Sequence, residues 1–260
     1  MLLPEKIASH LSEKTLIREQ TGLSGAGVWM SDDLVLKIET PDRESDNNLA
    51  MLRWLKGRVP VPEVIAEEIQ DGKRYLLMKR LPGEMSCGES NLAHPETLVQ
   101  LLAEGLRQIW AVDISHCPCD QRVAAKLENA RRIVAEKCYD LDNVEPDTFG
   151  PKGFASPEAL LRWLEENPPD ETAVLSHGDY CLPNIFLKDG AVSGFLDLGR
   201  CGISDPYADI ALCWRSLRDN FNGSYGHFNP DFDPDSLFSA LEIQPDWEKI
   251  RYFLLMDELF

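Results

Sequence analysis

Residues 177–184 read His-Gly-Asp-Tyr-Cys-Leu-Pro-Asn, and Asp-Leu-Gly-Arg follows at 197–200. Asn184 stands directly before the apolar run 185–188, and Asp197 directly after the run 192–196. Between the runs lies Asp189-Gly190, a strong hairpin signal. An antiparallel hairpin would bring Asn184 and Asp197, thirteen positions apart in the chain, side by side. Asp179 sits one short loop upstream. Two hard oxygen donors with a further carboxylate beside them suit a magnesium ion with a base next to it. Magnesium seldom uses an all-protein cage, so a nucleoside triphosphate is expected to complete its shell. Asp179 or Asn184 alone would read as an ordinary turn cap. The set at this spacing points instead to phosphoryl transfer.

The elements that must position these residues fall into two groups. Up to residue 81 the pattern is mostly strand: a Gly-rich turn enters a strand across 21–31, 33–39 alternates, and 59–69 is Pro-broken before a strand. Asp71-Gly72 then signals a hairpin into the strand 74–81. One helix interrupts, at 42–57, with Leu49, Leu52 and Leu55 on one face and Gly57 as its stop. Leu81-Pro82-Gly83 marks a boundary. Beyond it helices dominate. Val99, Leu102, Leu106 and Ile109 form one stripe within 95–112, and Val123, Leu127, Ala130 and Val134 another within 120–138. Further helices are expected at 157–166, 206–221, 234–242 and the chain end, with a short strand at 173–176. The expectation is an α+β fold of two lobes, a small mainly-β lobe at 1–81 and a larger mainly-α lobe at 82–260, meeting at a cleft.

Composition narrows the partners. Lys plus Arg is 26 and Asp plus Glu is 44, a net charge of −18. Such a surface repels nucleic-acid phosphates and anionic lipid and attracts cations, so neither nucleic acid nor membrane is an expected partner. A polycationic small molecule fits the charge. The cysteines number seven, an odd count without framework spacing, which suits free thiols in a reducing compartment. Cys117-Pro-Cys119 has no companion pair at zinc spacing and reads as packing. The N-terminus lacks a basic leader followed by a sustained apolar run, and no stretch is apolar enough to span a bilayer. A cytoplasmic protein is expected, with a monomer as the expected assembly.

His-Gly-Asp-x-x-x-x-Asn at 177–184, Asp-Leu-Gly-Arg at 197–200, Asp205, Asp209 and the closing segment PDWEKIRYFLLMDELF resemble the aminoglycoside phosphotransferases, specifically the 3′ branch. These are antibiotic-resistance enzymes with a protein-kinase-like fold, and the resemblance runs over nearly the whole chain. The first motifs alone would fit wider kin, such as choline, homoserine and macrolide kinases; the C-terminal segment narrows the choice. The resemblance implies a kinase that uses ATP, with GTP as an alternative donor, and Mg²⁺. It implies Asp179 as the base that orients the attacking hydroxyl, and Asn184 and Asp197 as the Mg²⁺ ligands. Lys37 would contact the α- and β-phosphates, the loop around Ser24 would cover the β-phosphate, and the backbone near Arg80 and Leu81 would meet adenine. Asp257, Glu258 and the terminal carboxylate of Phe260 would line the substrate site. The acidic loop with Asp140, Asp142, Glu145 and Asp147 is a second candidate wall for a polyamine substrate. His177 reads as a residue that holds its loop, while Arg200 and Asp209 read as locks formed by buried pairing. The alternatives are a kinase of the same fold acting on another small amine or sugar, or a nucleotide-binding interaction protein with weak catalysis.

The chain departs from the family pattern at Asn48, where relatives place the helix Glu that pairs with the phosphate-binding Lys. Glu44, one helical turn earlier, or Asp46 would then stand in, or Lys37 would be held less firmly. Val35, two residues before Lys37, replaces an adenine-stacking aromatic found in some relatives and leaves adenine to apolar packing.

Overall fold

The computed structural model describes residues 3–11, 14–19, 27–141 and 144–260. The N-terminal part builds one antiparallel sheet. Its strands are β1 (Ile17–Arg18), β2 (Gly27–Met30), β3 (Leu34–Glu39), β4 (Val64–Gln70) and β5 (Lys73–Lys79), in the order β1-β2-β3-β5-β4. β5 is buried through its middle because its two faces meet different partners. Tyr75 and Leu77 join Leu34, Leu36 and Ala66 against α1 (Glu5–Leu11), whose Ile7 and Leu11 are buried. Leu76 and Met78, pointing the other way, join the main core with Leu49, Met51, Leu52 and Leu55 of α2 (Arg43–Leu55). The hairpin between β4 and β5 turns at Asp71 and Gly72 with φ of 51° and 72°, the left-handed pair of a type I′ turn.

α2 begins at a capping box: Asp42 accepts from the Ser45 amide, and the Ser45 hydroxyl accepts from the Asp42 amide, each at 2.8 Å. Its end coincides with the Gly57 stop, at φ 78°. α1 was not foreseen, since seven residues after Pro4 are too few to display a helical period.

The second part opens with β6 (Glu84–Met85) and α3 (Glu89–Leu92), followed by α4 (Pro95–Trp110), α5 (Val123–Glu136) and α6 (Pro157–Glu166). Then come β7 (Val174–Ser176), β8 (Ile185–Lys188), β9 (Ala191–Phe195) and β10 (Gly202–Ser204). α7 (Pro206–Phe221), α8 (Ser236–Leu241) and α9 (Trp247–Asp257) complete the chain. The stripes read from the sequence on α4 and α5 are all buried. Leu98, Leu102 and Leu106 of α4 are 1% exposed or less. Burying each such leucine contributes roughly 1.5–3 kcal/mol before chain entropy. This core sits beneath the β6-β8-β9 sheet and the short β7-β10 pair, so the loops carrying the functional residues rest on a packed floor. Among the described residues no helix is long and apolar enough to cross a membrane.

Candidate active site

The β8–β9 hairpin forms as its sequence implies. Ile185 pairs with Phe195, the turn residues Asp189 and Gly190 have φ of 52° and 74°, and Leu196 N–H donates to Asn184 O at 2.8 Å. Asn184 and Asp197 therefore flank one end of the hairpin. A single 3-10 turn, Leu182–Asn184, swings Asn184 back over the preceding loop. Its Nδ2 donates to Asp179 Oδ2 at 2.8 Å and to Asp179 O at 3.0 Å. That fixes the amide so that Oδ1 is its remaining acceptor. Asp197 holds a left-handed backbone, φ 60°, and its half-exposed carboxylate lies 3.8 Å from Lys37 Nζ. Among the described residues no group of three or more His, Cys, Asp or Glu side chains gathers as a ready-made metal cage. One amide oxygen and one carboxylate match a cation that draws most of its ligands from phosphate and water.

The loop bearing Asp179 is tied down by a buried carboxylate. Asp209 Oδ1 accepts from the Ser176 hydroxyl at 2.8 Å and the Gly178 amide at 2.9 Å. Its Oδ2 accepts from the His177 amide and Trp110 Nε1, each at 3.1 Å. Asp209 thus locks the loop through buried hydrogen bonds. Gly178 has φ 81°, and a Cβ there would stand 2.0 Å from Arg200 O, so only glycine fits. His177 is fully buried, and its Nδ1 accepts from the Asp179 amide at 3.3 Å. It holds the loop and does not reach out of it. Burial, with Asp257 and Asp197 adding to it, pushes the Asp179 carboxyl above its ordinary value, and the Arg200 guanidinium pulls against that rise.

On β3, Lys37 Nζ lies 2.8 Å from Glu39 Oε2. Burial pulls its ammonium down, but Asp197 and Glu39 together outweigh burial and leave its pKa raised. Neither helix acid stands in at Lys37. Glu44 Oε1 accepts from Arg200 Nε at 3.1 Å, and Asp46 pairs with Arg74. Asn48 Oδ1 accepts from the Leu198 amide at 3.1 Å, and Asn47 Nδ2 donates to Gly199 O and Cys201 O at 2.8 and 2.9 Å. The face of α2 nearest the Asp-Leu-Gly-Arg turn is spent on that turn. At the boundary the Arg80 amide donates to Asp33 O at 2.8 Å, while buried Leu81 packs beneath Gly194 of β9. Ser24 lies outside the described residues, as does Asp142.

Residues 18–252 match the phosphotransferase enzyme family. An aminoglycoside 3′-phosphotransferase of Enterococcus faecalis is 34% identical, over 100% of this chain and 99% of that protein. The chain belongs to the family of the aminoglycoside 3′-phosphotransferases. A crystal structure of an aminoglycoside-3′-phosphotransferase of type VIII superposes with a TM-score of 0.82 at 26% identity, covering 98% of each chain. A Streptomyces rimosus aminoglycoside phosphotransferase solved with ADP and streptomycin shares the fold, with a TM-score of 0.78 at 23% identity over 98% of this chain and 96% of that one. The two-lobed, protein-kinase-like α+β fold expected from the sequence is thereby shown.

The C-terminal end of this phosphotransferase packs against the same site. Asp257 Oδ1 accepts from Arg200 Nη1 at 2.9 Å, and its other oxygen pairs with Arg215. Burial works to raise the Asp257 carboxyl, but Arg215 and Arg200 hold it below the ordinary value. The Glu258 side chain is only 3% exposed, and its Oε2 accepts from the Glu145 amide at 3.1 Å. Burial pushes its carboxyl up to about 7. The Phe260 ring lies against Arg200 and Lys126, their charged ends 5.5 and 6.0 Å from its centroid. Lys249 of α9 reaches Asp205, the N-cap of α7, at 2.9 Å, which fastens the last helix to the start of α7. Sequence reasoning missed Arg215, Glu39 and Asn47. Glu39 was legible two positions from Lys37 on one strand face, whereas nothing in the local sequence marks Arg215 as the partner of Asp257.

Proposed function

We propose that the protein transfers the γ-phosphoryl group of ATP to the 3′-hydroxyl of aminoglycoside antibiotics. The observation that carries this reading is the Asp179–Asn184–Asp197–Lys37 constellation in a chain that aligns end to end with an aminoglycoside 3′-phosphotransferase. In it residues 1–81 serve as the nucleotide-binding lobe and 82–260 as the catalytic and substrate-binding lobe. The Leu81 amide, which meets no hydrogen-bond acceptor among the described residues, donates to the adenine edge beside Arg80, and Val35 packs on the base. GTP presents a different edge to the same amide and is the weaker donor. Lys37 meets the α- and β-phosphates, and Ser24 closes over the β-phosphate.

Asn184 Oδ1 and Asp197 would hold Mg²⁺, which when bound supplies neutralisation of phosphate charge. Asp179 orients the substrate hydroxyl and takes its proton as the hydroxyl oxygen bonds to the γ-phosphorus. The bond from that phosphorus to the β-bridging oxygen breaks, and the electron pair leaves with ADP. Positioning and charge carry such a reaction more than covalent help from the protein. The raised pKa of Asp179 makes it the better proton acceptor. The terminal carboxylate of Phe260, with Asp257 and Glu258 set behind it, answers the ammonium groups of the antibiotic. Asp257, answered by two guanidinium groups, and Glu258, nearly buried beside Arg215, contribute less than the terminal carboxylate.

Asp179→Asn keeps the hydrogen-bonding shape and removes the base. It should lower kcat by about 10²–10⁴ while ATP affinity, measured by calorimetry, stays within about twofold. Retained turnover would refute the assignment.

A further inference from the structure

Lys37 is 18% exposed and Glu39 is 12% exposed, so this pair stands largely out of water beside Asp197. Glu39 Oε1 is buried and meets no hydrogen-bond donor among the described residues. A buried carboxylate with one oxygen unpaired weakens a fold unless its charge serves another purpose. Oε2, 2.8 Å from Lys37 Nζ, names that purpose.

The other acids nearby are engaged elsewhere. Glu44 is bound to Arg200, Asp46 to Arg74, and position 48 is an asparagine already committed to the Leu198 amide. Glu39 and Lys37 are two residues apart on β3, so both side chains leave the same face of the sheet. β3 is hydrogen-bonded along both edges, to β2 and to β5.

We propose that Glu39 is the residue that positions Lys37 for the nucleotide phosphates. It rests on the reading of Lys37 as the phosphate-binding lysine. The ammonium is paired with Glu39 at 2.8 Å and lies 3.8 Å from Asp197, which leaves donor capacity for a phosphate. Because cation and acid share one strand, the lysine's aim does not depend on where α2 sits. α2 is freed for a different task, holding the Asp197 turn through Asn47 and Asn48.

The sign of one substitution separates positioning from mere proximity. Removing a negative charge near a phosphate site should tighten nucleotide binding if charge alone matters. Loss of a positioning bond should weaken it. The test is calorimetric titration of the full chain with Mg²⁺ and a non-hydrolysable ATP analogue, for wild type, Lys37→Ala, Glu39→Gln and the double variant. Melting temperatures are recorded for each.

The proposal predicts that Lys37→Ala weakens binding and that Glu39→Gln weakens it by about tenfold, the equivalent of one charge-assisted hydrogen bond. In the Lys37→Ala background Glu39→Gln should add nothing. In steady state Glu39→Gln should raise the nucleotide KM and leave the aminoglycoside KM in place. Binding that is unchanged or tighter in Glu39→Gln, with Lys37→Ala still damaging, would overturn the role of Glu39 and leave that of Lys37 standing. An equal loss with and without Lys37 would overturn it too, by showing that Glu39 acts through the fold. An unaffected Lys37→Ala would remove the reading of Lys37, and the proposal with it.

Discussion

Asp179 and Asn184 share a hydrogen bond that settles what each is free to do. The Asn184 amide nitrogen is spent on Asp179, which leaves its oxygen as the acceptor that the proposed Mg²⁺ role needs, and Asp179 keeps one carboxylate oxygen clear of that bond. The sequence placed Asn184 beside Asp197 because the hairpin between those two follows local rules. It could not place what holds the Asp179 loop: the Asp209 lock draws its donors from 31–33 residues upstream and from Trp110, 99 residues away. Glu258 carries a prediction at this scale. Its carboxyl sits at about 7 in the folded protein against an ordinary value of 4.5. The folded chain therefore holds this proton after the unfolded chain has lost it, and stability falls as pH rises across that window. Full ionisation costs about 3 kcal/mol. Glu258→Gln should gain in melting temperature over wild type as pH goes from about 5 to about 8. A difference that stays flat with pH would contradict the assignment.

Among the elements, those with a long period or with turn signals beside them were legible, and several of the short ones were not. α4 and α5 bury the stripes read for them, and α4 to α7 fall within three residues of their expected bounds, because each buries an apolar face. α1, α3, β6 and β10 are held by tertiary contacts and are too short to show a period. α2 was read correctly as a helix, but what its polar face does was not. The absent glutamate at 48 looked like a defect near Lys37, and in the fold Asn48 caps the Leu198 amide across 150 residues of sequence. Asn48→Ala would leave that buried amide unpaired. It should cost about 1–3 kcal/mol in urea unfolding and lower kcat by loosening Asp197. A loss under about 0.5 kcal/mol would mean that the clamp carries no weight.

For the molecule as a whole, the net charge of −18 pointed to a cationic partner, but counting carboxylates overstates the wall they form. Arg200 and Arg215 answer Asp257, and Arg218 answers Glu145. What stays acidic near the chain end is fewer charges, more deeply set, with Glu258 half-protonated near neutrality. Charge patterning shows how many charges a chain has; only packing shows which ones are already paired. The central claim concerns one hydroxyl. Purified protein with Mg²⁺ and ATP should be assayed for ADP release with kanamycin and, in parallel, with tobramycin, a similar aminoglycoside lacking the 3′-hydroxyl. The account predicts turnover with kanamycin and none with tobramycin. Equal turnover with both would move the reaction to another hydroxyl, and turnover with neither while ATP still binds would contradict the substrate altogether.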